Sequence, residues 1–281
     1  MRRPTRLLAT FATVGALTVP TGSASAGCTE DVPTADKRAA IVTCTGVFPG
    51  MHITMNSMKY GPDHLCGASF AFTDQYKQKY LAFPGSCYLD YSCLEDAVYN
   101  ELPPPLNELV PRVPVCLMPG DSELEPVYKR KGPPVMDYSG KRIGSIVYAV
   151  NKDGVDFALA RLDAGVKVDP AMPVWGGPRR LGAASGDLEE AYVFTEQGIP
   201  APNARTGYLR GSGADLTWIG DGLLSISTGS PVMKPNGDAV GMIQGYLTIP
   251  TGYRVQTFRP ALDRLRSRTG LRLKLMAAAL R

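Results

Sequence analysis

Ile226-Ser227-Thr228-Gly229-Ser230-Pro231-Val232 runs on through Met233-Lys234-Pro235-Asn236-Gly237 into Asp238-Ala239-Val240-Gly241-Met242-Ile243. Asn-Gly between two short runs of strand formers is a strong local hairpin signal, because both residues tolerate the positive φ of a tight turn. The stretch therefore predicts a loop, a strand, a turn and a second strand. A Gly-Ser-Pro-Val loop alone identifies nothing, and its meaning depends on what accompanies it elsewhere.

The same texture extends outward in both directions. From Gly46 onward, short segments rich in Val, Ile, Tyr, Phe and Thr are separated by Gly, Pro, Asn and Asp, which predicts an all-β sandwich or barrel. Asp153-Gly154 joins the run Ser145 to Val150 to the run Val155 to Leu162. Five prolines between Glu101 and Pro114 (Pro103, Pro104, Pro105, Pro111, Pro114) predict an extended surface loop. A helix is expected from Pro260 to Thr269, stopped by Gly270. Another short one is expected from Thr34 to Val42, after Pro33. No internal repeat has a fixed period.

The chain opens with Arg2, Arg3 and Arg6, a mostly apolar run from Leu7 to Val19, and Ala24-Ser25-Ala26. That is the pattern of a signal peptide with its cleavage site. The apolar run is 13 residues long, short of the ~18 that span a bilayer. A secreted, extracellular protein of about 255 residues is expected, with no stable membrane association. Residues 1–26 hold three arginines and no acid, so the formal charge of +4 falls to +1 in the remainder. Arg259, Arg264, Arg266, Arg268, Arg272, Lys274 and Arg281 gather near the C-terminus without interleaved aromatics, which fits a solvated face rather than a nucleic-acid site. Nucleic acid is excluded as an expected partner, and a monomer is expected.

Six cysteines, Cys28, Cys44, Cys66, Cys87, Cys93 and Cys116, all lie in the first half. An even number in an exported chain predicts disulfides. Fifteen connectivities are possible, and the clustering favours neighbours in order: Cys28 with Cys44, Cys66 with Cys87, Cys93 with Cys116. Each short loop closed in this way stabilises by about 3 kcal/mol. Zinc is disfavoured, since there is no C-x-x-C and the chain has two histidines, His52 and His64. A lipidated Cys28 would leave an odd cysteine. No metal and no cofactor are expected.

Three segments together resemble the chymotrypsin-like (trypsin-like) serine protease family, in the style of its actinobacterial secreted members. The first is Cys66 to Asp74 followed by Tyr80-Leu81-Ala82-Phe83-Pro84-Gly85-Ser86-Cys87. In the family this unit ends Thr-Ala-Gly-His-Cys, so Ser86 stands at the position of the catalytic His. The second is Val155-Asp156-Phe157-Ala158-Leu159, similar to the family's Asp-Phe-Ala-Leu, with Asp156 at the buried carboxylate. The third is the opening loop, where the family has Gly-Asp-Ser-Gly-Gly/Ser-Pro-Val. Thr228 matches the nucleophile, Ser227 the preceding Asp, and Ile226 the Gly whose N–H helps form the oxyanion hole. The order Ser86, Asp156, Thr228 is the family's order His, Asp, Ser.

The resemblance runs from about Gly46 to Gly270. It implies two six-stranded antiparallel β-barrels with a short N-terminal helical extension and a C-terminal helix. The division it implies is 1–26 signal peptide, 27–45 disulfide-stapled extension, 46–165 N-terminal barrel, and 166–281 C-terminal barrel with its helix. Ile226 and Thr228 become the oxyanion-hole positions, and Asp221, Gly222 and Gln244 the candidates for a specificity pocket. Asp221 near its floor would favour a cationic group.

At each chemical position the residue type has changed. Serine at 86 cannot take up and return a proton near neutral pH, and Thr228 adds a methyl where serine attacks. Ile226 is β-branched where glycine is usual. His64, two residues before Cys66, is the one alternative base considered, and His52 has no place in the pattern. Trp175 and Trp218 are expected as core or loop anchors. An inactive homologue that binds a peptide or protein in the former cleft is the expected function, with residual endopeptidase activity through Thr228 as the alternative. A buried Asp156 without an imidazolium needs another partner, and a hydrogen bond with Ser86 is expected.

Overall fold

The computed structural model describes residues 27–31, 41–57, 61–89, 123–124, 132–183, 187–196, 204–220, 226–247 and 252–281. The expected leader, the proline-rich segment, Cys93, Cys116, Asp221 and Gly222 lie outside the described residues.

Strands β1 (Gly27–Asp31) and β2 (Ile41–Thr45) form an antiparallel pair with Cys28 opposite Cys44. A disulfide joins these two cysteines. The helix expected over Thr34 to Val42 therefore fails at its end, where Ile41 and Val42 are strand. The reason is local: Ile41, Val42 and Thr43 are all β-branched, and the bridged ladder holds them extended. The rest of that helix falls outside the described residues.

The first sheet contains β3 (His52–Ser57), β4 (Gly61–Gly67), β5 (Ala71–Thr73), β6 (Lys79–Phe83), β7 (Glu123–Leu124), β8 (Pro134–Asp137), β9 (Arg142–Lys152) and β10 (Val155–Leu162). Their order is β5-β6-β10-β9-β8-β3-β4, with β7 on β9. Among the described residues no strand pairing closes this sheet into the expected six-stranded barrel. Its end is fastened by other means. Residues 68–70 between β4 and β5 exchange backbone hydrogen bonds with Met51 and Ala82, and a disulfide joins Cys66 to Cys87.

The second unit contains β11 (Arg180–Leu181), β12 (Asp187–Phe194), β13 (Ala204–Arg210), β14 (Thr217–Gly220), β15 (Pro231–Met233), β16 (Asp238–Leu247) and β17 (Gly252–Thr257). Strands β16-β15-β12-β13-β14-β17 follow one another, and β17 pairs back onto β16. That closes a six-stranded antiparallel barrel, with the short β11 running parallel to β16. Trp218, Val193, Leu209, Val232, Val240, Ile243 and Val255 fill it, and Trp218 donates its indole N–H to the Ala191 carbonyl at 3.3 Å. Trp175 stacks on Tyr192 at 4.7 Å. Among the described residues the architecture is mostly β with a C-terminal helix, consistent with the chymotrypsin fold.

Both expected hairpin turns are present, with different geometry. Asp153 (φ 54°) and Gly154 (φ 73°) make a two-residue turn with positive φ at both positions. At Asn236-Gly237 only Gly237 has positive φ. Its N–H donates to the Lys234 carbonyl at 2.9 Å, while the Lys234 N–H donates to Asp238. This is a longer loop ending in a glycine bulge.

Helix α1 (Phe258–Thr269) begins two residues earlier than expected and ends as expected, with Gly270 in the left-handed region. Although it continues directly from β17, its apolar face packs on the first sheet. Phe258 meets Phe70 and Phe72 edge-on, with centroids 5.9 and 5.5 Å apart, and Ala261 and Leu265 are buried beside it. Strand β18 (Lys274–Leu275) then pairs with β5, so the C-terminal segment straps the two units together.

Truncating Phe258 to Ala is expected to cost about 3–5 kcal/mol in urea unfolding, from lost burial plus a cavity between the helix and the first sheet. The control Tyr76→Ala, at a side chain 81% exposed, should stay within about 0.5 kcal/mol.

Candidate functional site

Asp156 is the second residue of β10, directly after the Asp153-Gly154 turn, and it is buried at 4% exposure. Ser86 sits in a 3-10 turn over Gly85–Cys87. Gly85 lets that turn lie flat against β9, since a Cβ there would come 2.1 Å from the Val150 carbonyl oxygen. The turn aims two donors at the carboxylate. The Ser86 N–H donates to Oδ1 at 2.7 Å, and the Ser86 hydroxyl donates to Oδ2 at 2.8 Å. The expected Ser86 to Asp156 hydrogen bond is thus direct. Burial pushes the Asp156 carboxyl up to about 6, against the opposing pull of the Ser86 N–H and hydroxyl and the Gly85 N–H.

On the other side of Asp156, its own N–H donates to Gln256 Oε1 at 2.8 Å. Gln256 lies on β17, in the second barrel, and its Oε1 also accepts from Gln244 Nε2 at 3.2 Å. A buried amide therefore ties the carboxylate strand to the opposite unit. Gln244, a pocket candidate, is half-buried and reaches this link. The sequence reading missed Gln256, whose only signal was a polar residue alternating into a barrel strand.

The loop 226–230 is held by three kinds of contact: core burial, backbone hydrogen bonds and a side-chain hydrogen bond. Ile226 is buried in the second barrel's core, so the isoleucine at the expected glycine position is an apolar anchor. The Gly67 N–H donates to the Thr228 carbonyl at 2.7 Å, and the Gly229 N–H donates to Ile243 at 2.7 Å. Gly229, with φ 100°, passes so close to Gly67 that a Cβ would meet the Gly67 carbonyl at 1.8 Å. The third contact corrects the expectation for His52. Its Nε2 and the Ser227 hydroxyl share a hydrogen bond of 2.9 Å. The ring is buried, which pushes its imidazole below the ordinary value and keeps it neutral. The His52 backbone N–H donates to Glu196 at 2.8 Å, and burial raises the Glu196 carboxyl. No carboxylate accepts from the ring's other nitrogen among the described residues.

Ser86, Asp156, Ser227, Thr228, Gln244, His64 and Arg254 come together around one cavity of about 490 Å³, within the range typical of small-ligand and peptide side-chain pockets. The structure thus brings Ser86, Asp156 and Thr228 together with Gln244 around one cavity. Ile226 is beneath the loop rather than in the cavity wall. Thr228 has no hydrogen-bond partner for its hydroxyl among the described residues.

No family model and no curated protein matches the chain. Among solved structures it is similar to a serine protease described as specific for glutamic acid, using a histidine triad in substrate binding. The match is 13% identical with a TM-score of 0.47, covering 82% of this chain and 100% of that one. It is also similar to Nocardiopsis protease, at 12% identity and a TM-score of 0.47, covering 82% of this chain and 99% of that one. What the site does is read from its own geometry.

A carboxyl raised from 3.8 to about 6 favours the fold when protonated. Its contribution is fully present below about pH 3.8 and is lost as pH rises through 6, a loss of about 3 kcal/mol. Asp156→Asn removes this dependence, because the amide does not titrate, while its oxygen can still accept from the Ser86 N–H. The stability difference, variant minus wild type in urea unfolding, should grow in the variant's favour by about 3 kcal/mol between pH 4 and pH 8. A difference independent of pH would show that the carboxylate is already solvated.

Proposed function

We propose that this chain is an exported protein of chymotrypsin-like fold that binds a peptide or protein segment in the cleft between Asp156 and Thr228 and does not hydrolyse it. One observation supports the reading: the Ser86 hydroxyl, at the position where the resemblance puts the base, donates its hydrogen bond to Asp156. Acyl transfer on a serine or threonine needs a group that takes the hydroxyl proton and later delivers it to the leaving amine. A serine cannot do so near neutral pH. In the subtilisin example, loss of the base costs on the order of 10⁶ in turnover.

The surroundings point the same way. The Thr228 hydroxyl has no hydrogen-bond partner among the described residues, and the Ile226 side chain is committed to the barrel core. The Cys66–Cys87 disulfide, the Gly67 to Thr228 hydrogen bond and the Gln256 link keep the walls in place. Exportation rests on the leader pattern and the two disulfides. The competing reading, residual hydrolysis, is favoured by one contact, the 2.9 Å hydrogen bond between His52 and Ser227, which sets an imidazole behind a hydroxyl one residue before Thr228.

A fluorophosphonate probe separates the two readings, since it reacts only with an activated hydroxyl. Intact mass after incubation should show no adduct. An adduct mapped to Thr228 would overturn the proposal in favour of the residual endopeptidase. An adduct mapped to Ser227, and lost in His52→Gln, would overturn it in favour of the shifted pair.

A further inference from the structure

The charges that line the cleft are unequal in what they offer a ligand. The acid Asp156 is spent: both of its oxygens accept from Ser86, and the side chain is buried. Arg254 is the opposite case. It stands on β17 with Thr217 on one side and Gly245 on the other, is solvent-exposed, and lines the cavity. Arg142, Arg180 and Arg264 each pair with an aspartate, namely Asp163, Asp238 and Asp153. Arg254 has no acidic partner among the described residues. On the neighbouring strand, a Cβ on Gly245, its paired residue, would have no atom within 4 Å, so the space over Gly245 is open. The hydroxyls of Ser227 and Thr228 and the Gln244 amide line the same cavity and add neutral donors.

From this arrangement we propose that the cleft recognises a carboxylate on a peptide, held by the Arg254 guanidinium in the space beside Gly245. A guanidinium presents a planar fork that matches a carboxylate with two parallel hydrogen bonds, and it stays charged at any physiological pH. A cationic group in the same place would meet Arg254 with no available anion among the described residues to offset it. The proposal reverses the preference that Asp221 suggested from the sequence, and it rests on the reading of the cleft as a peptide site.

The test uses acetylated, amidated octapeptides of Ala and Gly carrying Glu, Gln or Lys at one central position. A further Gln peptide carries a free C-terminal carboxylate. Binding to the full mature protein is measured by fluorescence anisotropy. The Glu peptide should bind roughly five- to tenfold more tightly than the Gln peptide, with the gap narrowing at high salt. Arg254→Gln should abolish the gap, Arg254→Lys should restore part of it, and Arg254→Glu should turn the preference to Lys. If the free-terminus peptide gains instead of the internal Glu peptide, the carboxylate recognised is that of the chain end. Gly245→Trp puts a bulky side chain where a Cβ meets no atom within 4 Å and should weaken every peptide.

Equal affinity for Glu, Gln and Lys, still lost in Gly245→Trp, would overturn the carboxylate preference and leave the peptide site standing. A preference for Lys in the wild type would overturn it in favour of Asp221. Failure of every peptide to bind, or binding indifferent to Gly245→Trp, would overturn the peptide site itself.

Discussion

The site depends on one backbone crossing. At Gly67 and Thr228-Gly229 the two units of the fold touch main chain to main chain, through the Gly67 N–H and the Thr228 carbonyl at 2.7 Å. A Cβ at Gly67 would come 2.9 Å from the Thr228 oxygen, and one at Gly229 would come 1.8 Å from Gly67. No other residue type fits either place without moving a strand. Ile226 anchors the same loop to the barrel core from below and His52 secures it from the side, while Gln256 ties Asp156 across the interface. These contacts hold the cleft open in a defined shape whether or not any chemistry is done in it.

A carboxylate buried to 4% exposure and titrating near 6 is an expensive component of a stable fold. In a hydrolase such an acid would orient an imidazole. Here Ser86 satisfies it with two hydrogen bonds and leaves it unable to meet a ligand's cation. The electrostatic character of the cleft then passes to Arg254. The residues that shape the walls are backbone-constrained glycines and buried amides, so the walls do not depend on the groups that would do chemistry.

Much of this was legible in the residues. The three short segments at Ser86, Asp156 and Thr228 converge as their resemblance implied, both hairpin turns fall where Asp-Gly and Asn-Gly stand, and Gly270 ends the last helix. What was not legible has physical reasons. Ile41 and Val42 follow a helix-like run, and only the ladder opposite Cys28 makes them strand. Among the described residues the first sheet is fastened at its end by a disulfide and by residues 68–70 rather than by strand pairing, which no periodicity records. His52 looked like an isolated strand residue, since its partner Ser227 is 175 positions away. Gln256 and Arg254 occupy alternate positions on one strand, and alternation alone does not say which face meets a cleft.

The most direct measurement is a crystal structure of the mature protein soaked with a peptide carrying a central glutamate. The account predicts an intact peptide in the cleft, its carboxylate within hydrogen-bonding distance of the Arg254 guanidinium, and no covalent density on Thr228 or Ser227. A cleaved peptide, or an acyl group bonded to either hydroxyl, would contradict it.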